Sequence, residues 1–449
     1  MRAGYTRRRL LGALVWALTI VFTSQVWADY LEVRRSATIK DRPDRNAPIL
    51  ERPEVGANLQ LLDSGRKVNG YYRTIVPSGN GSGWIYKTLV RRHRGDLPGA
   101  WPDNGATEDG PDLESEFVMQ AHFIDVDQGD ATLLEFPCGA IMIDAGGQND
   151  DTTDHLLTYL GEFFERRTDL NHTIAAIFIT HTHVDHNRAL RRIVEDPSIT
   201  VENYIHNGVY DGSGRHAARW MRDHANEDGR DINMRSVTQS EIIPLSPSSA
   251  LTGPAIDPVE CDGVDPLIRV LAAPYEENPG WPQGHFDDGN NKSLVTRIDF
   301  GESSFLFTGD LEEAAIETMV DYYDETEILD VDVYQVGHHG SYNGTTDSLM
   351  MAMTPELAVI SMGPSTDRRK WTAYQYGHPR MSAVEMLDRW VDRRRMAEAW
   401  VRVARGVKRF QNYRMRDAVF ATGWDGTVVI TADPLGRMKV RTTGSDAPS

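Results

Sequence analysis

Four residues able to bind a divalent cation fall within six positions: His181, His183, Asp185 and His186, in the run Thr180-His181-Thr182-His183-Val184-Asp185-His186. Imidazole and carboxylate are the usual protein ligands of zinc and similar ions. The apolar run Ile174-Ala175-Ala176-Ile177-Phe178-Ile179 predicts a buried strand that ends abruptly at these histidines. A tight turn there can aim His181 and His183 at one cation, and Asp185 and His186 at a second one close by. A plain polar turn gives no reason for three histidines and an aspartate at these offsets. The chemistry this spacing points to is activation of water by metal.

Further groups of the same kind sit where strands are predicted to end. Asp144 follows Ile141-Met142-Ile143, Asp310 follows Phe305-Leu306-Phe307-Thr308-Gly309, and His338 and His339 follow Val333-Tyr334-Gln335-Val336-Gly337. Sites on layered α/β folds collect at such strand ends. Buried strands are predicted at 123–126, 131–136 and 140–144, then a helix over 153–164 with Leu156, Leu157, Leu160, Phe163 and Phe164 on one face. Helices at 187–195 and 214–226 flank a strand at 201–205. Strands at 267–271, 293–300 and 303–307 lead into a second strand–helix series, 311–323, 331–336, 346–353 and 357–360.

With these strand ends in place, the chain resembles the metallo-β-lactamase-fold hydrolases. Asp144 corresponds to the family's first motif aspartate, and His181, His183, Asp185 and His186 reproduce H-x-H-x-D-H. Asp310 corresponds to the aspartate bridging two metals and His338 to the last histidine. Within the family, Asp125-Val126-Asp127-Gln128-Gly129-Asp130-Ala131, Asn290-Asn291-Lys292-Ser293-Leu294-Val295, Thr308-Gly309-Asp310 and His338-His339-Gly340-Ser341 resemble the soluble hydrolase domain of the competence DNA-uptake channel (ComEC-type) proteins. Tyr376-Gly377-His378-Pro379 and Gly426-Thr427-Val428 fit the same pattern, so the resemblance runs from 117 to about 433.

The resemblance implies a four-layer αββα fold and one or two divalent ions, zinc or else manganese. His181 and His183 would hold one ion, Asp185, His186 and His338 the other, and Asp310 would bridge. Asp185 would also orient the nucleophile, and Asp144 would fix a ligand imidazole by accepting its other N–H. Asp130 belongs to the same supporting or substrate-facing set. His339, Ser341, Asn343 and His378 are candidates for substrate contact or leaving-group protonation. Asp127 stands where the subfamily commonly has Gly, and His183 where it often has Asp. A third histidine, about twenty residues before Asp310, is missing; Asn290 occupies that slot as a candidate ligand, with His285, Asp287 and Asp288 nearby. The His181/His183 ion is therefore expected to be held weakly or with more water. The transmembrane segments of the uptake channel are absent from the sequence, so transport is not implied.

Residues 1–28 read as a signal peptide: Arg2, Arg7, Arg8 and Arg9, an apolar stretch, then Val26-Trp27-Ala28 as a cleavage site. Thr6-Arg7-Arg8-Arg9-Leu10-Leu11 also resembles a twin-arginine signal, and an ordinary basic start explains it as well. Either way the expectation is an exported, periplasmic or extracellular protein with no permanent membrane span. Residues 29–93 show short alternating strands separated by Gly, Pro and Asp turns. Their Leu31-Glu32-Val33-Arg34 opening and Gly83-Trp84-Ile85-Tyr86 closing resemble the bacterial Src-homology-3-like barrel of cell-envelope proteins, which implies a wall ligand or a spacer. A linker is expected at 94–116, the hydrolase domain at 117–435 and a disordered tail at 436–449. Cys138 and Cys261 are the only cysteines; a disulfide and two buried thiols both remain open.

Loss of the signal arginines takes the formal charge from −19 to −23. Such a chain repels polyanions at long range, which argues against a broad nucleic-acid surface and for a small or wall-linked phosphoester. The leading expectation is thus an exported metal-dependent hydrolase of phosphodiester bonds. The alternatives are a lactone, thioester or amide hydrolase using the same activated water, and a catalytically weak envelope-binding protein.

Overall fold

The computed structural model describes residues 30–63, 67–78, 81–93, 118–227, 229–324 and 326–444. The expected signal peptide and linker lie outside the described residues.

Two mixed sheets form the centre of the hydrolase domain. The larger has the order Asn233–Ser236, Thr200–His206, Thr173–Ile179, Ala140–Ala145, Ala131–Glu135, Met119–Phe123, Val428–Ala432, Met438–Thr442. The smaller runs Leu267–Ala272, Val295–Phe300, Ser303–Phe307, Val333–Gln335, Leu357–Ile360, Val419–Ala421. Their facing sides share one core, in which Phe123 stacks near Phe307 and Phe136 near Phe300. The outer face of the larger sheet buries Leu133, Met142 and Ile177 under the helix Asp150–Arg166, through Leu156, Leu160, Phe163 and Phe164. Helices Glu313–Tyr323, Asp347–Met353 and Met381–Trp390 cover the smaller sheet. This is the expected αββα arrangement, and strands buried on both sides explain their near-continuous apolar runs.

Local chemistry sets the element ends. The helix Asp150–Arg166 starts three residues before the predicted 153 because Asn149 caps it: Asn149 Oδ1 accepts from Thr152 N at 3.1 Å and Asn149 N donates to Thr152 Oγ1 at 3.1 Å. Asp150 and Asp151 add negative charge at its positive end. The strand predicted at 123–126 instead spans Met119–Phe123, because Met119, Ala121 and Phe123 fill the core between the sheets. Residues 124–126 leave the ladder and carry Asp127–Asp130 toward the site.

Over residues 436–444 the expected disordered tail is corrected; residues 445–449 lie outside the described residues. Met438–Thr442 pairs antiparallel with Val428–Ala432 along its whole length. Met438 is buried, Val440 packs against the core, and Asp433 closes the turn by accepting from Arg437 N. Alternation of apolar and charged residues, M-K-V-R, suits an edge strand with one dry face. Cys138 and Cys261 form a disulfide, which settles the open alternative.

Among the described residues of 30–93, eight short strands form two sheets, joined by a Leu61–Thr74 bridge around a core of Leu31, Val33, Ile39, Leu59, Tyr72 and Ile85. This unit docks on the hydrolase domain through buried charges. Arg91 pairs with Asp417 at 2.8 Å, Lys67 with Asp330, and Lys87 Nζ donates to Ala352 O at 2.7 Å. Buried ions of this kind are costly unless paired, so they fix orientation more than they add stability.

Candidate metal centre

The strand Thr173–Ile179 ends at the site, and residues 180–183 turn there before the single helical turn Val184–Asn187. A Cβ on Gly146 would stand 1.6 Å from Asp185 O, so only glycine lets the chain after Asp144 lie against this turn. Asp130 N and Gly147 N donate to Asp185 O at 2.9 and 3.2 Å, which pins the turn from below. The smaller sheet delivers Asp310 after Ser303–Phe307 and the His338-His339 pair after Val333–Gln335. Both histidines adopt left-handed backbone, φ 49° and 52°. Such conformations cost on the order of 1–3 kcal/mol each for non-glycine residues and concentrate where a side chain must be aimed.

Two ligand sets result, and Asp310 faces both. His181 Nε2 lies 3.0 Å from His183 Nδ1 and 3.8 Å from Asp310 Oδ2. His186 Nε2 lies 3.3 Å from His339 Nε2 and 3.2 Å from Asp310 Oδ1. His339 Nε2 is 3.5 Å from both Asp185 Oδ2 and Asp310 Oδ2. Two ligands of one tetrahedral zinc stand about 3.3 Å apart, so these spacings are those of converging ligands.

The other nitrogen of three of the imidazoles is engaged. His186 Nδ1 is 2.6 Å from Asp144 Oδ2, His339 Nδ1 is 2.7 Å from Ser361 O, and His181 Nδ1 is 3.1 Å from Thr180 Oγ1. A ligand histidine needs such a partner to fix its tautomer and ring plane. Asp144 is held in turn by Thr180 N and Oγ1, both at 2.8 Å. The donor set therefore fits a pair of divalent cations.

Sequence and structure differ over the histidine pair. His339, expected to contact substrate, joins Asp185 and His186, whereas His338, expected as the last ligand, lies outside these groups. His338 Nδ1 sits 3.3 Å from Glu312 Oε1. The consecutive left-handed residues rotate the turn by one side chain, which adjacent identical residues cannot reveal in a sequence. Asn290 is buried; its Nδ2 donates to Glu312 Oε1 at 3.0 Å and its Oδ1 has no donor. Its neighbour Gly289 abuts His183 Nε2. Asn290 thus stands beside the His181/His183 set with a free acceptor, while His285 and Asp287 are exposed and Asp288 accepts from Asn290 N.

Asp130 is brought behind His186, beside Asp144, with Gln335 Nε2 2.7 Å from each of its oxygens. Ser341 follows at the turn, its N–H donating to His338 O at 2.8 Å. His378 is buried against the site; its ring stacks 6.0 Å from His339, and its Nδ1 lies 3.5 Å from Gln128 Nε2. Burial, with His339 and His338 beside it, holds His378 well below its ordinary pKa, so it offers a neutral N–H or lone pair. Glu312 and Gln335 were not singled out in the sequence. A glutamine inside the apolar strand Val333–Gln335 was the available signal for one; Glu312, two residues after Asp310, gave none.

The field of the site is strongly negative. Burial and the neighbouring Asp144 push Asp130 up to about 7. Burial alone would lower His339, but Asp310 and the hydrogen bond to Asp185 outweigh it and raise His339 to about 9. Burial likewise opposes the charge on His186, and Asp310 and Asp144 raise it well above its usual value. Protons on these imidazoles and cations between them compete for the same field. Protonated His339 stabilises the fold fully below pH 6.5, and that contribution is lost as pH rises through about 9. Cation binding has the opposite sign. Apparent zinc affinity is expected to strengthen from pH 6.5 toward 9 with proton release, measured calorimetrically in buffers of different ionisation enthalpy; an affinity flat across that window would refute the competition.

The chain matches the Metallo-beta-lactamase superfamily over residues 124–363 and belongs to that family of metal-dependent hydrolases. Within it, one segment is similar to competence proteins of the ComEC type. One segment is 31% identical over 100 residues to ComE operon protein 3 of Bacillus subtilis, covering 22% of this chain and 12% of that protein. Another match is 33% identical over 101 residues to Recombination protein 2 of Haemophilus influenzae, 22% of this chain and 11% of that protein. The matches thus span only about an eighth of the relatives' length. Among solved structures, the metallo-beta-lactamase fold protein YhfI from Bacillus subtilis aligns over 54% of this chain and 85% of its own, with 11% identity and a TM-score of 0.31. Among the described residues, no helix is long and apolar enough to cross a membrane.

Proposed function

We propose that the protein is an exported hydrolase of phosphodiester bonds. The observation that carries the reading is the pair of ligand sets joined at Asp310, with the buried His378 stacked against His339 at their edge. Divalent ions there would acidify water and offset charge developing on the substrate oxygens. Asp185, 3.5 Å from His339 Nε2, can accept a proton from water and orient it. His378 and Gln128 supply neutral donors for a phosphoryl oxygen, where no further negative charge is wanted. The phosphoester class is supported by the ComEC-type motifs that build these loops, Asp125–Ala131 and His338–Ser341.

Export is supported by the arginine-rich, apolar start of the chain and by the Cys138–Cys261 disulfide, since such bonds persist in oxidising compartments. We read the N-terminal β unit as a spacer, because Lys67, Lys87 and Arg91 face the hydrolase domain. Zinc- or manganese-loaded protein is expected to hydrolyse bis-nitrophenyl phosphate, and Asp185→Ala to lose that turnover. Turnover of lactones or thioesters alone would move the assignment to carboxylic esters. Silence on all of them would leave a binding protein.

A further inference from the structure

One buried amide touches the supports of both halves of the site. Gln335 ends the strand Val333–Gln335 of the smaller sheet and is 2% exposed. Its Nε2 lies 2.7 Å from each carboxylate oxygen of Asp130, 3.2 Å from Thr132 Oγ1 and 3.3 Å from Ser361 Oγ. Asp130 and Thr132 stand at the start of Ala131–Glu135 in the larger sheet, whereas Ser361 follows Leu357–Ile360 in the smaller. The amide therefore reaches across the interior between the sheets, and its two hydrogens face four oxygens. Its own carbonyl oxygen, Oε1, is buried without a donor. Such an atom is costly and calls for a reason beyond packing. Methionine would fill the same length of strand with no unpaired acceptor. What glutamine adds is its pair of N–H bonds.

The partners of those N–H bonds hold metal ligands. Asp130 N donates to Asp185 O at 2.9 Å, and Asp130 O accepts from Gly146 N at 2.7 Å, which fastens the histidine turn to the chain after Asp144. Ser361 O lies 2.7 Å from His339 Nδ1. Asp185 comes from the larger sheet and His339 from the smaller, yet His339 Nε2 stands 3.5 Å from Asp185 Oδ2. The path Asp185, Asp130, Gln335, Ser361, His339 crosses between the sheets in short polar contacts and closes on itself at that gap. Distances to one cation tolerate only about 0.2 Å of error. Apolar packing between two sheets is not directional, so a polar link behind the ligands is what can hold their spacing.

We propose that Gln335 is a positioning residue that sets the separation of Asp185 and His339, so that both reach one divalent cation. It touches neither the cation nor the substrate and acts through Asp130 and Ser361. The inference rests on the phosphodiester reading above only for the rate it predicts; the ligand spacing is independent of the substrate class.

The test compares Gln335→Met and Gln335→Asn with the parent, each in the full chain. Both are expected to bind zinc about 10- to 100-fold more weakly by calorimetry. Gln335→Asn keeps the amide but is one carbon too short to reach both sheets, so it carries the test should the methionine variant fail to fold. In cobalt(II)-loaded protein the visible absorption, which reports ligand geometry, is expected to change with either variant. With zinc saturating, kcat on bis-nitrophenyl phosphate is expected to fall about tenfold with KM within about twofold, since a displaced ligand acts on the transition state. The control is Val333→Ala, a buried apolar residue of the same strand. It should lower the thermal midpoint and leave zinc affinity and the cobalt spectrum as in the parent. Equal loss of zinc affinity in Val333→Ala and the Gln335 variants overturns the proposal, because the strand would then act through stability alone. So does parental affinity and spectrum in the Gln335 variants. Failure of wild-type protein on bis-nitrophenyl phosphate strikes the phosphodiester reading instead, and affinity and spectrum still decide the role of Gln335.

Discussion

His339→Ala is expected to cut hydrolysis by about a thousandfold or more, while His338→Ala stays within about tenfold of the parent. The two residues are neighbours of one type, so any difference between them comes from geometry. His339 Nε2 faces Asp185, Asp310 and His186 within 3.5 Å, and its other nitrogen is anchored on Ser361 O. Its loss would leave His186, Asp185 and Asp310 without their fourth group and weaken the cation they share. His338 faces Glu312, which also holds Asn290. Its loss should reach the His181/His183 set only through Asn290, as a shift of a supporting group, at the lower end of such effects, about tenfold. Metal content by emission spectroscopy together with initial rates distinguishes the cases. A silent His338→Ala beside an active His339→Ala would return the ligand role to His338.

What the sequence revealed of this site follows from how local each feature is. The His181–His186 turn was legible because four ligands on one short segment need no other part of the chain to be recognised. Asp144 and Asp310 were legible as polar residues closing apolar runs. The choice between His338 and His339 was not, because it depends on two φ angles. Glu312 and Asn290 meet across 22 positions, and their pairing carries no periodic trace. The two sheets followed from strand–helix alternation, but the hairpin of Arg394–Gly406 and Arg409–Asp417 has no such signal. Its outward face carries arginines and its apolar residues are few, so it lacks the pattern of a buried strand. The final strand, Met438–Thr442, is too short an alternation, followed by a polar terminus, to stand out from a tail in the sequence.

Breaking the Cys138–Cys261 bond, by a double change to serine, is expected to lower stability by about 5 kcal/mol and the thermal midpoint by roughly 7 °C. The bond spans 123 positions, and closing so long a loop removes much freedom from the unfolded chain. Cys138 lies in the turn between Ala131–Glu135 and Ala140–Ala145, strands of the larger sheet, while Cys261 precedes Leu267–Ala272, an outer strand of the smaller one. Val259 packs on Gly139 beside the bond, with Ile256 in the same core. The staple therefore joins the sheet that supplies Asp144 and the histidine turn to the sheet that supplies Asp310 and His339. Loosening it should act on the two halves of the site as well as on the fold. Calorimetry of parent and double variant should show the lower midpoint, and zinc affinity of the variant at 25 °C should fall by a smaller factor than with His339→Ala. A midpoint unchanged to within about 1 °C would mean that core packing alone holds the sheets together.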